Sequence, residues 1–180
     1  MKYLVHLIPP IDVSSRIVDL RAELGLIESN APHVTLYALR AKEENEDVIV
    51  RVLESIRFEA FTARLKAFDK FDEDSLVVRL NKEQGLVDLH YLAIENLKYF
   101  IDWSVMKKYE GADEKRQDVA RVYGSGYVAQ FYNPHMTIGH GKCETPKTSE
   151  LDGVCFDVDS FALSKKKEGL WGVVKAFSAR

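Results

Sequence analysis

The sequence has little cysteine, no long apolar run and no surplus of positive charge, and each shortage removes a class of protein. Its two cysteines, Cys143 and Cys155, lie outside any C-x-x-C spacing. They supply neither a disulfide framework nor a zinc knuckle, and a reducing, cytoplasmic setting is expected. The opening stretch "MKYLVHLIPP" carries one lysine and a short apolar run ended by Pro9-Pro10. That run is shorter than a signal-peptide core or a membrane span requires, so no membrane association is expected. Lysine and arginine total 25 against 28 aspartate and glutamate, a formal net charge of −3. Such a chain has no global basic field to capture long nucleic acid; a nucleic-acid substrate must be short or gripped locally.

What is present is ordinary for a soluble globular protein: 46% hydrophobic and 29% charged residues in a chain of 180. The length supports a substantial apolar interior, in one compact unit over 1–180 or in two small lobes sharing a core. "KYLVHLI" reads as a strand stopped by the double proline. "DVSSRIVDLRAELG" then places Ile17, Leu20 and Leu24 on one helical face, with Asp12 or a serine as the cap and Gly25 at the left-handed C-terminal position. "EENEDVIVRVLESIRF" gathers Val48, Ile49, Val52, Leu53 and Ile56 into a second helical stripe. "FTARLKAFDKF" alternates Phe61, Ala63, Leu65 and Ala67 with polar residues, a strand pattern, and "SLVVRL" follows as its neighbour. "QGLVDLHYLAIENLKYFIDW" is the strongest helix, with apolar residues at 86, 89, 93, 97, 100 and 101. A short helix is expected over "DEKRQDVARV", and a closing hairpin with "KKKEG" as its turn. Strands and helices in this order predict an α+β class with largely antiparallel sheet.

One phrase occurs twice. "APHVTLY" at 31–37 and "NPHMTIG" at 133–139 share Pro-His-X-Thr-X, a little over half the chain apart. On a strand, residues i and i+2 share a face. His33 and Thr35 then point one way and Val34 and Leu36 the other; His135 and Thr137 oppose Met136 and Ile138 in the same manner. The apolar pairs anchor each strand while the polar pairs face a cleft. Two imidazoles and two hydroxyls converging there suit phosphodiester cleavage. A neutral histidine takes a proton from water, a protonated one gives a proton to the leaving oxygen, and the threonine hydroxyls donate to phosphate oxygens. Each motif holds one good metal ligand and no adjacent carboxylate, so neither a metal nor another cofactor is expected. A lone His-X-Thr would be read as a polar strand face. Two copies sharing the proline and the flanking apolar residues, in a chain with five histidines, carry the functional reading.

"HVTL" and "HMTI" resemble the paired His-X-Thr-X motifs of the two-histidine (2H) phosphoesterases, the superfamily of 2′-5′ RNA ligase-like proteins and 2′,3′-cyclic phosphodiesterases. The resemblance runs along the whole chain and implies a single domain of two intertwined, pseudo-twofold-related lobes with a cleft between them. It implies His33 as proton donor to the 3′-oxygen, His135 as the acceptor that activates water, and Thr35 and Thr137 as phosphate-binding residues; in the sequence itself the two histidine roles are interchangeable. The implied reaction opens a 2′,3′-cyclic phosphate, on an RNA end or a small cyclic nucleotide, to a 2′-phosphate without metal. The alternatives are 2′-5′ ligation or 2′-5′ oligonucleotide cleavage, and a non-catalytic RNA-end or nucleotide-binding module. No obligate protein partner is implied, and a monomer suffices.

The remaining candidates are weaker. Tyr37 continues the parity of His33 and Thr35 and is a candidate for stacking at the cleft edge, with core packing as the alternative. Tyr132 and Trp171 are further stacking candidates. His6 reads as a buried, hydrogen-bonded histidine or a third polar group in the cleft, His90 as structural, and His140 as exposed in a turn. Lys165, Lys166 and Lys167 read as turn residues, one of which could reach a second phosphate. Arg116 and Arg121 read as belonging to a surface helix.

Overall fold

The computed structural model describes residues 1–105, 113–147 and 150–180, and of Asp72 only the backbone. Eight strands form one antiparallel sheet. They are β1 (Lys2–Leu7), β2 (Val34–Arg40), β3 (Phe61–Asp72), β4 (Ser75–Leu80), β5 (His135–His140), β6 (Cys155–Val158), β7 (Ser160–Lys167) and β8 (Leu170–Ser178). Their lateral order is β6-β3-β4-β5-β2-β1-β7-β8, so the two motif strands lie side by side at the centre with Val34 opposite Met136. Four helices complete the fold: α1 (Ile11–Glu23), α2 (Glu46–Ser55), α3 (Gln84–Leu97) and α4 (Glu114–Tyr123).

A repeat is visible in this order. β1-α1-β2 and β4-α3-α4-β5 each run from a strand through helix to the motif strand that pairs with it. The helices interlock the halves, because α1 packs on β5 and α3 packs on β2. Val34, Leu36, Met136 and Ile138 are all buried at 1% exposure or less. Their burial is the anchoring that alternation predicts. No helix among the described residues is long and apolar enough to cross a membrane.

Several local expectations change. The first helix takes no cap from Asp12 or a serine. Pro10 precedes it directly, supplying the fixed φ that suits a helix entrance, and Ser14 donates to the Pro9 carbonyl at 3.2 Å. Ala67 is exposed, because the β3–β4 register slips between Leu65 and Phe68 and breaks the alternation. The three lysines lie on β7 and not in the hairpin turn, which is Glu168-Gly169, both with positive φ. The short edge strand β6 carries no sequence signal of its own and is an addition to the expected strands. In the charged segment 104–121, α4 is capped by Asp113 and closed by left-handed Gly124, while residues 106–112 lie outside the described residues.

Candidate active site

Each motif enters its strand through proline. Proline has no N–H to give the sheet, a loss without cost at a strand's first position. The carbonyl of the residue before it is turned to the histidine. His33 Nδ1 donates to the Ala31 carbonyl at 2.8 Å, and His135 Nδ1 donates to the Asn133 carbonyl at 2.9 Å. A carbonyl only accepts, so both neutral rings carry their proton on Nδ1 and present Nε2 as a base. Neither Nε2 has a hydrogen-bond partner among the described residues, and neither do the hydroxyls of Thr35 and Thr137. Continuing the antiparallel register one residue either way from Val34–Met136 sets His33 opposite Thr137 and Thr35 opposite His135. Four half-buried polar side chains thus meet on the sheet face turned away from Val34 and Met136.

The two halves differ in what surrounds these residues. On β1, His6 stands opposite Thr35, is 5% exposed, shares a 2.8 Å hydrogen bond with Ser164 Oγ through Nε2, and meets the His33 ring edge-on at 5.5 Å. Burial, then the proximity of His33, push its pKa down to about 4, so it is a neutral neighbour at physiological pH. It is both the buried histidine and the third polar group that the sequence offered as alternatives. On β4, the corresponding neighbours are Val77 opposite Thr137 and Arg79 opposite His135. Arg79 donates Nε to Asp69 Oδ2 at 2.9 Å and pairs with it through Nη2 at 2.8 Å. Its Nη1 is buried with no partner among the described residues.

Burial lowers the pKa of both motif histidines. Against that, the Ala31 carbonyl and the Glu28 carboxylate favour the charged form of His33. For His135 the Asn133 carbonyl and, more weakly, Asp69 favour charge, while Arg79 and His33 oppose it. Burial would raise the Glu28 carboxyl, but hydrogen bonds from Asn30 and the nearby His140 and Arg21 hold it below its ordinary value. His140 is exposed but not idle: it ends β5 between Glu28 Oε2 at 3.3 Å and Ser75 Oγ at 2.9 Å.

The stacking candidates fare differently. Tyr37 is fully buried, and its hydroxyl donates to the Tyr123 carbonyl at 2.7 Å. The cause is a bulge. Val5 stands opposite Tyr37 and His6 opposite Thr35, so Leu36 is an extra residue that turns Tyr37 to the other face. Tyr132 is also core. It stacks on His90 at 3.8 Å and donates its hydroxyl to the Thr35 carbonyl at 3.2 Å, bracing the first motif from behind. Trp171 lies on β8 with two lysines at its ring. The aromatic groups beside a motif histidine are ones sequence reasoning passed over: Phe71 stacks on His135 at 4.9 Å, and Tyr127 lies 5.6 Å from Phe71. Phe71 ends a strand whose alternation has already slipped, so parity gave no signal. Arg79, a single cation in an apolar strand, was the detectable one. A separate groove of about 590 Å³ between α3 and the chain end at Arg180 contains none of the motif residues.

This interlocked antiparallel fold, with a histidine-threonine pair on each central strand, is that of the two-histidine phosphoesterases. The family model of the 2′-5′ RNA ligase superfamily matches residues 9–170, and the chain belongs to that superfamily. Among solved structures it is similar to TT0787 of Thermus thermophilus, with a TM-score of 0.72 and 17% identity over 100% of this chain and 98% of that one. It is also similar to E. coli LigT complexed with phosphate (TM-score 0.65, 16% identity, 99% and 96% coverage) and with 3′-AMP (TM-score 0.66, 15% identity, 99% and 97% coverage). At these identities the structures speak for the fold. No curated protein sequence matches the chain.

Proposed function

We propose that this protein is a phosphodiesterase that opens a 2′,3′-cyclic phosphate to a 2′-phosphate by two-histidine acid–base catalysis, with His33 as acid and His135 as base. The observation that carries the reading is the repeated histidine geometry. Each Nδ1 is held by a backbone carbonyl and each Nε2 has no partner among the described residues, beside two threonine hydroxyls that are equally unengaged there. The role assignment rests on the unequal surroundings. Glu28 favours a proton on His33, whereas Arg79 disfavours one on His135.

In the reaction, His135 Nε2 takes a proton from water as the water oxygen bonds to phosphorus. The bond from phosphorus to O3′ breaks, and His33 Nε2 gives its proton to O3′. One water is consumed, and a 2′-phosphomonoester with a free 3′-hydroxyl leaves. Thr35 and Thr137 donate to the non-bridging oxygens, where charge accumulates in the transition state. The unpartnered Arg79 Nη1 is placed to add a further donor, and Phe71 with Tyr127 offers an aromatic surface for the base beside His135. LigT structures with phosphate and with 3′-AMP are consistent with a nucleotide-sized ligand in this fold.

The test is product analysis in EDTA on an oligoribonucleotide ending in a 2′,3′-cyclic phosphate, resolving 2′- from 3′-phosphate. Wild type should yield 2′-phosphate. His33→Ala and His135→Ala should each lose about 10²–10⁴-fold in kcat, the usual contribution of a positioned acid or base. Equal turnover by wild type and both variants would remove the mechanism. Dependence on added metal would remove its metal-free form.

A further inference from the structure

We propose that Arg40, Lys2, Lys166 and Trp171 form a second anion site, which takes a backbone phosphate of an oligoribonucleotide several residues from the end held at the histidines. The inference rests on the functional reading above and extends it from a cyclic phosphate to a chain.

The register assembles the row. Lys2 is opposite Arg40, Tyr3 is opposite Lys165 so that Lys2 adjoins Lys166, and Lys166 is opposite Trp171. The four residues run straight across β2, β1, β7 and β8. They share a face with His6 and Thr35, because Lys2 and His6 are an even number of residues apart on β1 and pair with Arg40 and Thr35. The Lys2 and Lys166 ammonium groups lie 5.4 and 5.6 Å from the Trp171 ring centroid. The indole therefore supports two cations and is not a free platform for a base.

Like charges directly opposite one another destabilise a sheet. Here three cations adjoin, and none has a carboxylate partner among the described residues. The contrast with Lys165, one residue away on the opposite face, is direct: Glu43 and Glu46 neutralise it at 3.8 and 2.9 Å. Burial and the charges of Lys166 and Arg40 lower the Lys2 pKa. In a chain of net charge −3, such a row is no part of a general basic surface. A phosphate would relieve the repulsion, since each ammonium keeps donors to spare.

Four residues along a strand span about 13 Å from His6 to Lys2. Ala38, Leu4 and Ser164 occupy the sheet between and bring no charge. At about 3.4 Å per stacked nucleotide, the row would meet a phosphate roughly three to four residues from the end at the histidines.

The test is binding of 3′-phosphorylated oligoribonucleotides of one, two, four and six residues to wild type and to the K2Q/K166Q double variant, by fluorescence anisotropy at several salt concentrations. Wild-type affinity should rise between two and six residues. The double variant should lose about tenfold at six residues, with a much smaller loss at one, and its salt slope at six should fall by about 1.4, or ~0.7 per lost phosphate contact. Its thermal midpoint should equal or exceed that of wild type, since repulsion is removed. An equal loss at every length, or no loss at six, overturns the second site. Turnover of a cyclic mononucleotide measured in parallel separates the two readings. Row-dependent binding without turnover supports the site and overturns the phosphodiesterase; turnover without row-dependent binding does the reverse.

Discussion

His33 and His135 carry the same hydrogen bond in the same motif, and burial lowers both pKa values, but their charged neighbours differ. Two unshifted imidazoles would centre a bell-shaped kcat/KM profile near pH 6.5. With both lowered, the optimum should lie below pH 6.5. The signs of two substitutions follow. Arg79→Met removes a charge that opposes protonation of His135, so the rising acid-side limb should move to higher pH. Glu28→Gln removes a charge that favours protonation of His33, so the falling limb should move to lower pH. Rate profiles of the three proteins check this, and limbs moving the opposite way would exchange the roles of the histidines.

Among the elements, the motif strands repeat more than their sequence. Each holds an extra residue after its threonine, Leu36 against Val5 and His6, and Ile138 against Leu76 and Val77. Each bulge turns the following residue, Tyr37 or Gly139, to the helix side. At Gly139 an added Cβ would lie 2.8 Å from Leu26 Cβ and 3.3 Å from the Ile27 carbonyl, where the chain leaving α1 joins the end of β5. Gly139→Ala should therefore cost about 1–3 kcal/mol by overpacking. The measure is the urea midpoint at unchanged m, and a wild-type midpoint would show that Leu26 can move aside. Alternation in "HVTL" and "HMTI" was legible in the sequence; the bulges were not, because an extra residue exists only relative to the strand opposite.

Across the whole molecule, His90 ties the two motifs together. Its Nδ1 donates to the Leu36 carbonyl at 2.6 Å, and its Nε2 accepts from the Ala129 N–H at 2.9 Å, on the approach to the second motif. Its ring is fully buried, and burial pushes its pKa down to about 4, like that of His6. Unfolded, each would titrate near 6.5, so between these values the unfolded chain binds protons that the folded chain does not. The stability from keeping both neutral is complete above pH 6.5 and is lost as pH falls towards 4, on the order of 3 kcal/mol for each histidine over the window. Urea unfolding should show a lower midpoint at pH 5 than at pH 7. An unchanged midpoint would mean that neither histidine is held neutral by the fold.

Much of this protein is determined by its sequence alone. The doubled Pro-His-X-Thr-X phrase specifies which four polar residues share a face, since side-chain alternation is local to each strand. Apolar periodicity marks the helices for the same reason, and the second motif names its partners by repeating the first. The tertiary structure decided what depends on residues distant in sequence. It set the two motif strands side by side, turned Tyr37 and Tyr132 into the core, brought His6 to His33 and Arg79 to His135, and laid three cations in a row across strands from both ends of the chain. Each of these is fixed by pairing register and burial, which arise between segments and are written in none of them singly.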